Sequence, residues 1–93
     1  MITYFEIIEK ENIQDLKFPS SDVLKSKDAI NHRDNELRRA LSLGNLEHSK
    51  TKIFFEDNKS KRVVETTVWA VTENRVVLKQ GVVIPINRIF RSL

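Results

Sequence analysis

Cysteine is absent from this sequence. That excludes a disulfide framework and any thiolate metal site, and it fits a reducing compartment. Only two glycines are present, Gly44 and Gly81. Two cannot build a glycine-rich phosphate cradle, so each is read as a structural residue, Gly44 ending a helix and Gly81 making a turn. No apolar run approaches the roughly 20 residues of a membrane span, so no membrane partner is expected. The start, Met1-Ile2-Thr3-Tyr4-Phe5-Glu6, has neither a basic opening nor an apolar signal core, which points to a cytoplasmic protein. No Ser-His-Asp order and no paired acid–base carboxylates stand out. His32 and His48, with Glu36 and Glu47 near them, do not make the three or four converging ligands that a metal requires. The expectation is no catalytic residue, no metal, no cofactor, and a binding module in place of an enzyme.

What is present is a soluble balance, 40% hydrophobic and 31% charged over 93 residues, enough for one domain with a modest core. Charge is unevenly placed. Residues 1–24 carry two basic and five acidic side chains, a net −3, and the rest carry 14 basic and eight acidic, a net +6. A basic body with an acidic arm suits RNA or another polyanion. A chance imbalance on an ordinary soluble surface remains the alternative.

Residues 1–18 read two ways. Ile2, Phe5, Ile8, Ile13 and Leu16 fall near helical spacing, while Tyr4-Phe5-Glu6-Ile7-Ile8 has strand composition. Pro19 ends that segment, and Ser20, Ser21 and Asp22 offer helix caps. Lys25 to Arg33 is hydrophilic, a weak helix or a linker. A better helix is expected from Asp34, with Leu37, Ala40 and Leu41 as its apolar stripe and Gly44 as its terminator. Strands follow at 52–56, 62–72, 75–79 and 82–86, separated by Asp57–Lys61, Glu73-Asn74 and Gln80-Gly81. Pro85 confines the last to an edge or a bulge, and Asn87–Phe90 turns back to pair with the first strand. The fold class is therefore α+β, mainly β: an N-terminal helix or helices followed by a small antiparallel four- to five-strand barrel. Residues 1–33 form an acidic arm with a short helix, and 34–93 the helix plus barrel.

The order in residues 34–93 resembles the Sm-like and SH3-like small barrels. Leu37-Arg38-Arg39-Ala40-Leu41 precedes the strand Lys52-Ile53-Phe54-Phe55-Glu56. A polar hairpin, a long bent strand and the closing run Val83-Ile84-Pro85-Ile86-Asn87-Arg88-Ile89 follow. That run is similar to the closing segment of the bacterial Sm-like RNA chaperone and of the Rho-binding antiterminator. The resemblance implies a regulatory RNA-binding or protein-binding role, and ring-forming homo-oligomers. The chain departs from those families in the hairpin Asp57–Lys61, which has no glycine, and in lacking counterparts of the chaperone's uridine-stacking aromatic and Lys-His pair.

The nucleic-acid-binding residues expected are Arg33, Arg38 and Arg39 at the helix with Lys59, Lys61 and Arg62 at the hairpin, where cations would neutralise phosphates. Lysine and arginine on strands also guard edges against aggregation. Trp69 is read as core or interface more than as a base-stacking platform. A protein partner bound through the apolar face around Trp69 is the alternative function.

Overall fold

One long helix, α1 (Lys27–Glu47), runs through the position where the sequence suggested a boundary. The computed structural model of the protein describes residues 4–93. Ile2, counted above in the helical spacing, lies outside the described residues. Ser26 caps α1, its Oγ accepting from the Ala29 N–H at 3.1 Å, and Asp28 adds negative charge in the first turn, where the helix dipole favours it. The expected start at Asp34 is therefore corrected. Asp34 is an exposed mid-helix residue, and the hydrophilic stretch before it is the helix's first turns.

The buried side of α1 is Arg33, Leu37, Ala40 and Gly44, spaced as one helical stripe. Gly44 does not end the helix. A methyl group there would overlap the Val68 carbonyl oxygen and press on Thr67, so glycine lets the helix lie directly on the strand behind it. The terminator is His48, which adopts the left-handed conformation with φ 54° and donates its N–H to Gly44 O at 3.1 Å.

Among the described residues there are seven strands, β1 (Glu6–Ile7), β2 (Thr51–Glu56), β3 (Lys61–Thr66), β4 (Val68–Val71), β5 (Arg75–Leu78), β6 (Val83–Pro85) and β7 (Ile89–Ser92), and the helix packs on β4 and β7. They form two sheets, ordered β1-β3-β2-β7 and β4-β5-β6. The antiparallel expectation holds for every ladder except β1, which joins β3 in parallel. The single barrel ladder expected from the sequence is not what these hydrogen bonds make. The long strand divides at Thr67, whose carbonyl accepts from the Lys79 N–H at 3.0 Å. There the chain leaves one sheet and enters the other. Pro85 lies on β6, an edge strand, where the missing N–H breaks no ladder. The chain end does return to the first hairpin, with Ile89 opposite Phe55 and Ser92 opposite Ile53.

The core lies between the sheets and α1. Phe55, Ile53, Leu78, Ile84 and Ile89 are fully buried, and so are Leu37 of the helix and Ile13 of the N-terminal segment. Ile13 sits in a 3₁₀ turn, Lys10–Asp15. Phe5 and the Lys10–Asp15 turn are thus part of the body. Phe5 meets Phe54 and Phe90 edge-on at 5.1 and 5.7 Å, an arrangement that aromatic quadrupoles favour. The division expected at residue 33 falls within α1. Among the described residues, no helix is long and apolar enough to cross a membrane.

Candidate nucleic-acid interface

The six cations picked out from the sequence do not form one surface. Arg33 is 4% exposed. Its guanidinium forks onto Asp22, with Nη1 to Oδ1 at 2.9 Å and Nη2 to Oδ2 at 3.0 Å, and Nη1 also donates to Ile89 O. It ties the segment before α1 to the helix and to β7. Arg62 donates through Nε to Asp57 at 3.1 Å and through Nη1 to Glu6 at 3.3 Å. Lys61 places its Nζ 5.4 Å from the centre of the Phe90 ring, within reach of a cation–π attraction. Lys59 stands exposed at the hairpin tip.

The hairpin is held by its own carboxylate. Asp57 Oδ1 accepts from the N–H groups of Lys59 and Ser60 at 3.0 and 2.7 Å, the local bonding by which aspartate makes a turn without glycine. Burial raises the Asp57 carboxyl, but the Ser60 and Lys59 N–H groups and Arg62 outweigh it and hold it below the ordinary carboxylate value. At Asp22 burial is likewise overcome by Arg33 and the Leu24 N–H, so that carboxyl is also lowered. A hydrogen-bonded carboxylate favours its charged form. Arg33 and Arg62 therefore face charges already inside the fold.

Arg38 and Arg39 are exposed neighbours that open into different clefts. Arg38 lies beside Asp34, Thr72 and Glu73. Arg39 lies on the side of α1 toward β7, in a cleft of about 440 Å³ that Lys50, Thr51 and Arg91 also line. Three cations converge there. One acid opposes them, Glu36, and both its oxygens are taken: Oε1 accepts from the Ser92 N–H at 2.9 Å and Oε2 from Arg91 Nη2 at 3.1 Å. Arg91 is still 55% exposed, so this bond fixes its direction without hiding it. Lys50 and Arg91 were the members missed in the sequence. The readable signal was the return of the last strand onto the first, which sets Arg91 opposite Phe54 of β2 and lets it line one cleft with Lys50.

Trp69 is half-exposed, at 50%. Val68 pairs with Leu78 and Ala70 with Val77, which leaves Trp69 as the extra residue of a bulge. Bulges re-aim side chains, and this one accounts for an indole that the strand pattern alone left undecided. A cleft of about 690 Å³ lies between the 3₁₀ turn and β6 and is lined by Leu16, Phe18, Val82 and Pro85, with Arg75 its single charged residue. It gathers apolar surface and does not extend the basic one.

Compared with known proteins, the chain matches no family model, no curated protein and no solved structure.

Proposed function

We propose that the protein is a small regulatory binding module, not an enzyme, that takes RNA or another nucleic acid on its α1–β7 side. The observation that carries this reading is the convergence of Arg39, Lys50 and Arg91 on one cleft whose only acid is already hydrogen-bonded. Exposed cations held on rigid elements neutralise phosphates and displace their counterions. The order of elements supports the Sm-like and SH3-like reading of residues 34–93. A helix precedes β2, a polar hairpin leads to β3, β3 bends into β4, and the chain end closes onto β2. In that reading the two sheets are the halves of one small bent barrel, opened at Thr67. A cysteine-free chain with this charge suits the cytoplasm.

Titrating salt against binding of single-stranded RNA tests the proposal. Three neutralised phosphates predict that log K falls with log salt at a slope of about −2. Undetectable binding at low salt would overturn it. Trp69 supports a second reading, a protein partner bound at the β4 bulge, because an indole half out of water is a common centre of protein interfaces. Salt separates the two, since burial of an indole leaves affinity nearly insensitive to ionic strength.

A further inference from the structure

The basic cleft contains a group that its cations do not explain. Thr51 lines it and is 5% exposed, yet its Oγ1 makes no hydrogen bond. Most buried hydroxyls are satisfied, because one withdrawn from water and left unbonded destabilises the fold. Valine would fill the same space without that cost. A hydroxyl at this position has a use when a ligand brings an acceptor oxygen.

Resting on the nucleic-acid reading above, we propose that this cleft receives a terminal phosphomonoester of a nucleic acid strand. Charge favours an end over the middle of a strand. Arg39, Lys50 and Arg91 against Glu36 leave a side-chain net of +2. A monoester carries about −1.5 to −2 near neutral pH and presents three acceptor oxygens. An internal diester carries a single charge. The cleft is bounded by α1 on one side and by β2 and β7 on the other. The Leu93 oxygen at its rim is directed to β2, where it accepts from the Lys52 N–H at 2.9 Å. Arg91, aimed by Glu36, offers its remaining donors to the ligand, and Arg39 and Lys50 supply further charge-assisted bonds. Thr51 then donates its hydroxyl to the phosphate that the cations hold.

Three oligonucleotides of one sequence test this: 5′-phosphorylated, 3′-phosphorylated and unphosphorylated. The expected result is a roughly tenfold tighter Kd for one phosphorylated end, the size of one charge-assisted hydrogen bond. Whichever end is preferred identifies the polarity the cleft accepts. Thr51→Val should reduce that preference. Lys50→Gln, at an exposed position that does not bear on folding, should also reduce it. Equal affinity for all three oligonucleotides overturns the inference and leaves the nucleic-acid reading standing. Absence of binding by all three overturns both.

Discussion

Arg33, Arg62 and Arg88 turn their guanidinium groups inward, onto carboxylates and carbonyls, while Arg39 and Arg91 turn theirs to a cleft. Arg88 shows the inward pattern most fully: its donors reach Glu56 O, Ser21 O and the Glu56 carboxylate at 3.0, 2.8 and 3.3 Å. A planar fork with five donors suits such sites, since it bonds several acceptors at once. Removing one partner of a buried pair leaves a charge without solvent or counterion, which is where the large cost lies. The carboxylates give this a pH signature. Asp22 and Asp57 have folded-state values below the ordinary 3.8. Their contribution is complete above that ordinary value and is lost as pH falls through the depressed folded one. Urea midpoints should thus hold steady on the neutral side and drop on acidification below about pH 4. Asp22→Asn with Asp57→Asn should lower stability at neutral pH and flatten the acid drop. An unchanged acid limb in that double variant would show that other groups govern it. None of this was readable from the sequence, where Arg33, Arg62 and Lys61 looked like a patch. Charge along a chain does not say which acid each cation meets, and Asp22 lies 11 residues before Arg33.

The elements were legible wherever a local signal was strong. Periodicity and turn residues located β2, β5 and β6, and Pro85 correctly marked an edge. The helix was cut short because two residues misled: Asp34 has a capping side chain, and Gly44 looks like a terminator. Both sit inside α1. The stripe that continues the helix toward Ser26 depends on Arg33 taking an apolar position, and Arg33 takes it because Asp22 is there to receive its charge. At Gly44 a tertiary contact overrides propensity. Alanine favours helix over glycine by about 1 kcal/mol, but its methyl would press on the β4 backbone at Val68, and overpacking costs about 1–3 kcal/mol. Gly44→Ala should therefore destabilise the fold by about 1 kcal/mol, lowering Tm by about 4–8 °C in a chain of this size. Asn45→Ala, at the exposed neighbouring position, should leave Tm level or raise it slightly. A Gly44→Ala variant that melts above the wild type would mean that the helix does not lie against β4 as described.

At the scale of the whole molecule, the residues divide by where their charges are answered. The hairpin end carries Lys59, Lys61 and Arg62, and there Asp57, Glu6 and Phe90 occupy much of the local donor capacity. The other end of β2 carries Lys50; α1 brings Arg39 to it from 11 residues before, and β7 brings Arg91 from 41 residues after. Such long-range convergence is what a single sequence shows least, because it depends on which strand closes against which. The acidic N-terminal segment is also accounted for: Ile13 joins the core, and Asn87 and Arg88 bond the Ser20 and Ser21 carbonyls. None of its described acidic residues lines the α1–β7 cleft.

The most direct measurement compares two paired charge reversals for binding to single-stranded RNA at low salt, with each variant first shown to fold. Arg39→Glu with Lys50→Glu alters the cleft, and Lys59→Glu with Lys61→Glu alters the hairpin end by the same total charge. The account predicts that the cleft pair loses at least roughly 100-fold in affinity, as removal of two phosphate contacts and their replacement by acids requires, and that the hairpin pair loses less than tenfold. Equal losses in the two pairs would contradict a localised site, and a larger loss at the hairpin would place binding at the opposite end of β2.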